Sequence, residues 1–444
     1  MPAEDHYKTH ERGLRMRALS IEQATRAKSI SGASLRRIPL AKPDIGEREI
    51  EYVVRVLRSG RLSLGPVLEQ FEERFAAYIG TRYAVATNSG TSALHLCIKA
   101  LGIGPDDEVL TTSFTFAAST NCLLYERALP AFADIDPATL NVDPAEIREI
   151  IRRDYVWHRV LRRPVNRRSG RVLKAILPVH VFGLPCAMNP ILEIAHEFNL
   201  RVLEDACEAL GAECSGRRTG TFGDAAVFAF YANKQITTAE GGMIVTDDPQ
   251  IARFCRSVRN QGRDEAASWL CHARLGYNYR LSDVHSALGL AQLEKIDTLL
   301  AARERVARLY RARLRDVPNL VLPADAPGCK RSWFAYVIQS CDSGSPPARD
   351  RLMNGLCQRG IACQVYFPAI HRQPYFREVR LAPRRPLPHT EAAADRCLAL
   401  PLFPQMTARE VDRVCAAVRE ILANGAIVQS TDDREYAATS SAVP

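Results

Sequence analysis

Nowhere in the 444 residues is there an apolar run long enough to cross a bilayer. Nor do the first thirty-seven positions hold the continuous hydrophobic core of a secretory signal, since they open on Glu4 and Asp5. Both absences predict a cytoplasmic protein without a membrane partner. Metal-binding spacing is missing too. No two of the thirteen cysteines form C-x-x-C, and the nearest pairs, Cys207 with Cys214 and Cys357 with Cys363, do not fit zinc. The scatter predicts reduced, buried thiols, no disulfide framework and no metal. Lysine is scarce: eight residues among 59 cationic side chains, in a chain of net charge +9. Arginine supplies the basicity and clusters at 159–171 and in the N-terminal tail. A nucleic-acid surface is one reading of that clustering. Solvated charge from an arginine-biased genome is the simpler one, so no nucleic-acid partner is expected. A basic surface would still attract an anionic small molecule.

The length allows more than one domain. Residues 1–37 alternate charges with few large apolar side chains and read as a flexible arm. From Ile38 onward, strand-like runs at 83–87, 108–112, 129–134, 174–181, 201–203, 225–230 and 242–246 alternate with helical patterns. The helices fall at 47–58, 67–79, 91–101, 118–125, 144–152 and 189–198. Alternation of this kind predicts an α/β fold with a mainly parallel sheet between helices. A basic stretch, 153–171, interrupts it with little periodicity and reads as a surface loop or hairpin. A long helical pattern over 282–315 then links to an α+β remainder, with strands at 332–339 and 362–366 and helices at 348–359 and 408–422. The expected organisation is a large domain over 38–285, a small one with its linking helix over 286–425, and a disordered tail over 426–444.

Four segments carry chemistry. Asn88-Ser89-Gly90-Thr91-Ser92 runs from a strand through glycine into a helix, where free N–H groups and hydroxyls can hold a phosphate, or where Ser89 merely caps the helix. Thr111 to Phe116 follows a strand and offers an aromatic face, or a core residue. Glu204-Asp205 ends another strand, where a carboxylate needs a cationic partner or serves as a cap. Glu208 follows nearby. Lys234 lies between an aromatic strand and Glu240-Gly241-Gly242. Lysine can form an imine where arginine, otherwise favoured in this chain, cannot. An imine-forming lysine and an aspartate that keeps a pyridine nitrogen protonated are the two groups pyridoxal 5'-phosphate requires.

These blocks resemble the sugar aminotransferases of the DegT/DnrJ/EryC1/StrS family, from Ile38 to about Asn424. Ser59-Gly60-Arg61-Leu62-Ser63-Leu64-Gly65-Pro66 followed by Phe71-Glu72 is similar to the family's opening. Ser89-Gly90-Thr91 matches its phosphate turn, and Phe114-Thr115-Phe116 its ring-stacking loop. Asp205 and Lys234 fall on its ring-nitrogen and imine positions. The segment from Pro178 to Gly183 is similar to the strand whose histidine, here His180, lies near the cofactor. The segment from Gly276 to Arg280 resembles one that reaches the neighbouring subunit and places an asparagine, here Asn278, on its phosphate. The resemblance implies the type I fold of pyridoxal-phosphate enzymes, with a seven-stranded large-domain sheet, and a homodimer with shared sites.

Three departures stand out: Ala229 where a phosphate-binding serine is common, Glu208 where glutamine is common, and the insertion at 153–171. A branch of the family that replaces the lysine by histidine dehydrates its substrate, so Lys234 favours transamination. The implied reaction moves an amino group, with L-glutamate as donor, through an imine on Lys234 and a pyridoxamine form to a keto group on a nucleotide-linked deoxysugar. Tyr277, Arg280, Tyr366 and His371 are candidates for the sugar side, and His371 could equally be a surface residue. An aminocyclitol aminotransferase would share every cofactor residue. A non-catalytic pyridoxal-binding regulator is the rival of a different class.

Overall fold

The computed structural model describes residues 37–263, 270–341, 348–378, 383 and 385–439, with side chains through 423. Apart from Arg37, the predicted N-terminal arm lies outside them. Eleven strands precede residue 250: β1 Tyr83–Thr87, β2 Asp107–Thr112, β3 Leu129–Ala133, β4 Tyr155–His158, β5 Arg163–Asn166, β6 Val172–Ile176, β7 Arg201–Asp205, β8 Glu213–Cys214, β9 Arg217–Arg218, β10 Ala225–Ala229 and β11 Gly242–Thr246. Seven of them cross the main sheet in the order β1-β11-β10-β7-β6-β2-β3, parallel except for β11.

The near-continuous apolar runs of β1, β10 and β11 mark strands covered on both faces. Alternate residues divide between two cores. Val85, Val227 and Ile244 enter one, while Ala84, Ala86, Phe228, Met243 and Val245 enter the other. The insertion at 153–171 is a hairpin, β4 against β5, joined to β6 where Val165 pairs with Val172. Its base is tied to the fold through Glu108 of β2. That carboxylate is fully buried and accepts hydrogen bonds from Tyr155 Oη (2.5 Å), Ser169 Oγ (3.0 Å) and Asn166 Nδ2 (3.2 Å).

The predicted connector is two helices, Asp283–Glu294 and Ile296–Leu314, meeting at Lys295. Beyond it lie β12 Leu320–Val321, β13 Cys329–Lys330, β14 Tyr336–Ser340 and β15 Cys397–Leu400. Strands β12, β14 and β15 form an antiparallel sheet over a separate core that includes Tyr310, Tyr336, Leu352 and Val414. The strand expected at 362–366 does not form. A single bridge from Gln364 to Ala399 marks its place, after which the chain turns away to line a cavity.

The last helix is Ala408–Thr439. One further expectation is corrected. Cys214 and Cys329 form a disulfide instead of remaining reduced, because β8 pairs with β13 and places them opposite each other. A sequence separation of 115 residues hid that pairing. Among the described residues no helix is long and apolar enough to cross a membrane, and no cluster of side chains is suited to a metal ion.

Candidate active site

Parallel strands leave crevices at their carboxyl ends, where helix N-termini and loops converge. Here that edge holds a cavity of about 530 Å³, into which Gly90 and Thr91 after β1, Phe116 after β2, Asp205 at the end of β7, Ala229 at the end of β10 and Lys234 all project. Asp205 and Lys234 are thus brought together from positions the sequence keeps apart.

Lys234 sits on a turn closed by its N–H donating to the Tyr231 carbonyl at 2.9 Å. Its side chain is only 14% exposed, with Nζ 3.6 Å from Glu208 Oε1 and 4.1 Å from the centre of the Phe334 ring. The buried Arg303 donates to the Lys234 carbonyl at 3.1 Å and to the carbonyls of Trp333 and Phe334, tying the lysine turn to the ring beneath it.

Asp205 is held from two sides. Ser119 Oγ donates to Oδ2 at 2.7 Å, and the Cys207 N–H donates to Oδ1 at 3.1 Å. Glu208 accepts the Phe182 N–H at 3.0 Å. Burial pushes its carboxyl up to about 7, against the opposing pull of Lys234 and of that N–H. A carboxyl raised in the folded state takes up its proton there first. Its contribution therefore favours folding below its ordinary value of 4.5 and is lost as pH rises through 7. Cofactor-free protein should accordingly lose about 3 kcal/mol of stability between about pH 5 and 8 relative to Glu208→Gln. Denaturant melts of both proteins across that range check this, and parallel curves would rule it out.

Gly90 and Thr91 begin the helix Gly90–Ala100, so their N–H groups have no carbonyl of that helix to bind. Glycine is needed here for close approach: a Cβ at position 90 would lie 2.8 Å from the Ala229 Cβ. Phe116 is 66% exposed over the cavity and is not a core residue, whereas Phe114 is. Tyr366 lines the same space, its hydroxyl accepting from Asn233 Nδ2 at 3.3 Å.

Several candidates lie elsewhere. Ser92 turns its hydroxyl back to Asn88 Oδ1 at 2.7 Å and does not line the cavity. His180 is fully buried. Its Nδ1 accepts the Cys186 N–H at 3.0 Å, so Nε2 carries the proton and donates to Glu204, also at 3.0 Å. Glu204 accepts further from the N–H groups of Gly220, Phe222 and Gly223. Burial opposes its charge, yet His180 and those N–H groups hold the Glu204 carboxyl below its usual range. Strand alternation therefore separates the two adjacent carboxylates, with Asp205 facing the cavity and Glu204 the interior.

His371 shares its ring nitrogens with Ser113 Oγ (2.7 Å) and Glu391 (3.2 Å), and it too misses the cavity. Tyr277 stacks on Tyr279, Arg280 donates to Asn260, and Asn278 bridges to Asn260 through its main chain; none of the three lines this chain's own cavity. Sequence reasoning missed Ser119, Asn233, Arg303 and Phe334. Ser119 carries the only legible signal, one helical turn beyond Phe116.

A model of the DegT/DnrJ/EryC1/StrS aminotransferase family matches residues 43–419. The chain belongs to this family. The aminotransferase is 37% identical over 391 residues to GDP-perosamine synthase of Caulobacter vibrioides, covering 88% of this chain and 100% of that protein. It is likewise 37% identical over 395 residues to the spore coat polysaccharide biosynthesis protein SpsC of Bacillus subtilis, covering 87% and 97%. Among solved structures, DesV of S. venezuelae matches with a TM-score of 0.78 at 32% identity, over 87% of this chain and 99% of that one. The fold is that of type I pyridoxal-phosphate transferases, as the motifs implied.

The family's cofactor can be tested against the donor set. A pyridinium N–H needs a carboxylate acceptor, and Asp205 offers a carboxyl group that two donors already orient. A phosphate needs free N–H groups, which Gly90 and Thr91 present. An aldehyde needs a sheltered amine, which Lys234 provides. The residues fit pyridoxal phosphate.

Proposed function

We propose that this aminotransferase moves an amino group from L-glutamate to a keto group on a nucleotide-linked deoxysugar, with pyridoxal phosphate held by Lys234 and Asp205. The observation that carries the reading is the shared cavity, in which a sheltered lysine and a doubly anchored aspartate line one space. When bound, pyridoxal phosphate supplies an aldehyde that captures amines and a ring that takes up electron density. Lys234 Nζ acts first as nucleophile and, once released, as the base that takes a proton at one carbon and returns it at another. Asp205 keeps its charge toward the ring position, while Ser119 prevents its carboxylate from rotating away. Glu208, poised near neutrality, can donate or accept a proton beside Lys234.

Phe116 supplies an exposed stacking face, and Tyr366 with Asn233 presents polar atoms to the sugar side. Tyr277, Asn278 and Arg280, which do not line their own cavity, are assigned to the site of a second copy in a homodimer. The likeness to GDP-perosamine synthase supports a nucleotide sugar as acceptor.

The test is a panel of keto-sugars linked to GDP, TDP and UDP, with a keto-inositol as control. Each is incubated with L-glutamate and cofactor-loaded protein. Release of 2-oxoglutarate with a nucleotide sugar and not with keto-inositol is expected. Amination of keto-inositol alone, or a protein that stays colourless after cofactor addition, would overturn the reading.

A further inference from the structure

The hairpin of β4 and β5 is not used by the site, and its two ends differ in character. At the base, Tyr155, Asn166 and Ser169 satisfy the buried Glu108, which fixes the hairpin to the main sheet. At the tip, Asn199 Nδ2 donates to the Arg162 carbonyl at 3.0 Å, while the apolar side chains face water. The tip's four-residue turn, 159–162, is held by the Leu161 N–H donating to His158 Nδ1 at 3.2 Å. Around that turn Val156, Trp157 and Leu161 are each close to half exposed, and Val160 is 87% exposed. Four large apolar side chains in water at one projection are unusual for a surface.

Arg159 and Arg162 flank them, and among the described residues neither side chain pairs with a carboxylate. From Tyr155 to Arg171 the chain holds six arginines and no acidic residue. The hairpin also joins β6 at Val172, the strand's first residue, whereas the cavity lies at the carboxyl ends of the strands. A partner at the tip would leave the cavity open.

We propose that this tip is a peripheral docking surface for an anionic lipid bilayer. Aliphatic side chains and a tryptophan enter the headgroup boundary while the arginines meet lipid phosphates. A nucleic acid would use the arginines but has no place for Val156, Val160 and Leu161, because bases stack on aromatic faces. The contact is interfacial, not a span, and it departs from the absence of a membrane partner expected from the sequence.

Sedimentation of the full-length, cofactor-loaded protein with vesicles tests the proposal, comparing phosphatidylcholine alone with mixtures containing phosphatidylglycerol. Binding is expected only to the anionic vesicles and is expected to weaken with salt. The double substitution Arg159→Gln, Arg162→Asn should reduce it about thirtyfold; asparagine suits the positive φ of 50° at position 162. The double substitution Val160→Ser, Leu161→Ser should reduce it about tenfold or more. Vesicles should shift Trp157 emission to the blue, an effect absent from Trp157→Phe. Glutamate-dependent amination and the melting temperature should not change, since these residues touch neither the cavity nor Glu108.

No sedimentation with anionic vesicles at low salt overturns the proposal, as does binding that survives both double substitutions. So does a single-stranded oligonucleotide that displaces the vesicles and whose binding is lost only in the arginine variant, a result that would assign the tip to nucleic acid.

Discussion

Lys234→Ala is expected to lower the amination rate by about 10⁴-fold or more, because the nucleophile and the mobile base are one amine and nothing else in the cavity replaces it. The substitution should also abolish the visible absorption that the loaded wild-type protein acquires. The fold should survive. The turn at Tyr231 is closed by main-chain atoms, Arg303 grips the carbonyl of residue 234 and not its side chain, and Glu208 can remain protonated once its cation is gone. Steady-state rates, absorption spectra and thermal melts together separate loss of chemistry from loss of structure. A variant that retains normal turnover would remove Lys234 from the mechanism altogether.

Asp205→Asn is the second large effect. An asparagine can still accept the Cys207 N–H on Oδ1, and its Nδ2, in the place of Oδ2, can donate to the Ser119 hydroxyl, so the melting temperature should change little. What it cannot do is present a negative charge to a protonated ring nitrogen. Its remaining amide N–H is a donor, so the nitrogen would lose its proton and the ring much of its capacity to take up electron density. A fall of about 10³-fold in kcat is expected, with cofactor still bound. Alanine at the same position should add a stability loss of about 1–3 kcal/mol, since Ser119 and the Cys207 N–H would be left without an acceptor in a buried place. If Asp205→Asn turns over within about tenfold of wild type, the aspartate does not set the ring's charge.

Much of this was legible because the residues concerned are chemically irreplaceable or conformationally special. A lysine in an arginine-dominated chain, a glycine between strand and helix, and an aspartate ending an apolar run each have few rivals for their task. His180 and Ser92 do not line the cavity, for a shared reason. Each lies beside a residue that does line the cavity, and only the direction of the side chain separates the two. His180 turns to Glu204 and Ser92 to Asn88. Phe334 and Arg303 carried no signal at all, because they reach Lys234 from far along the chain and belong to no local pattern.

Hydrophobic periodicity and turn chemistry are local properties, and from them follow the alternating α/β order and the candidacy of Lys234 and Asp205, while the seven strands along the main sheet were implied by the family resemblance. The three-dimensional arrangement decided the rest: which face each strand residue meets, the Cys214–Cys329 bond, the anchoring of Asp205 by Ser119, and the projection of the arginine-rich hairpin. These depend on contacts between segments distant in the chain, and the packing that selects them leaves no periodic trace in the order of the amino acids.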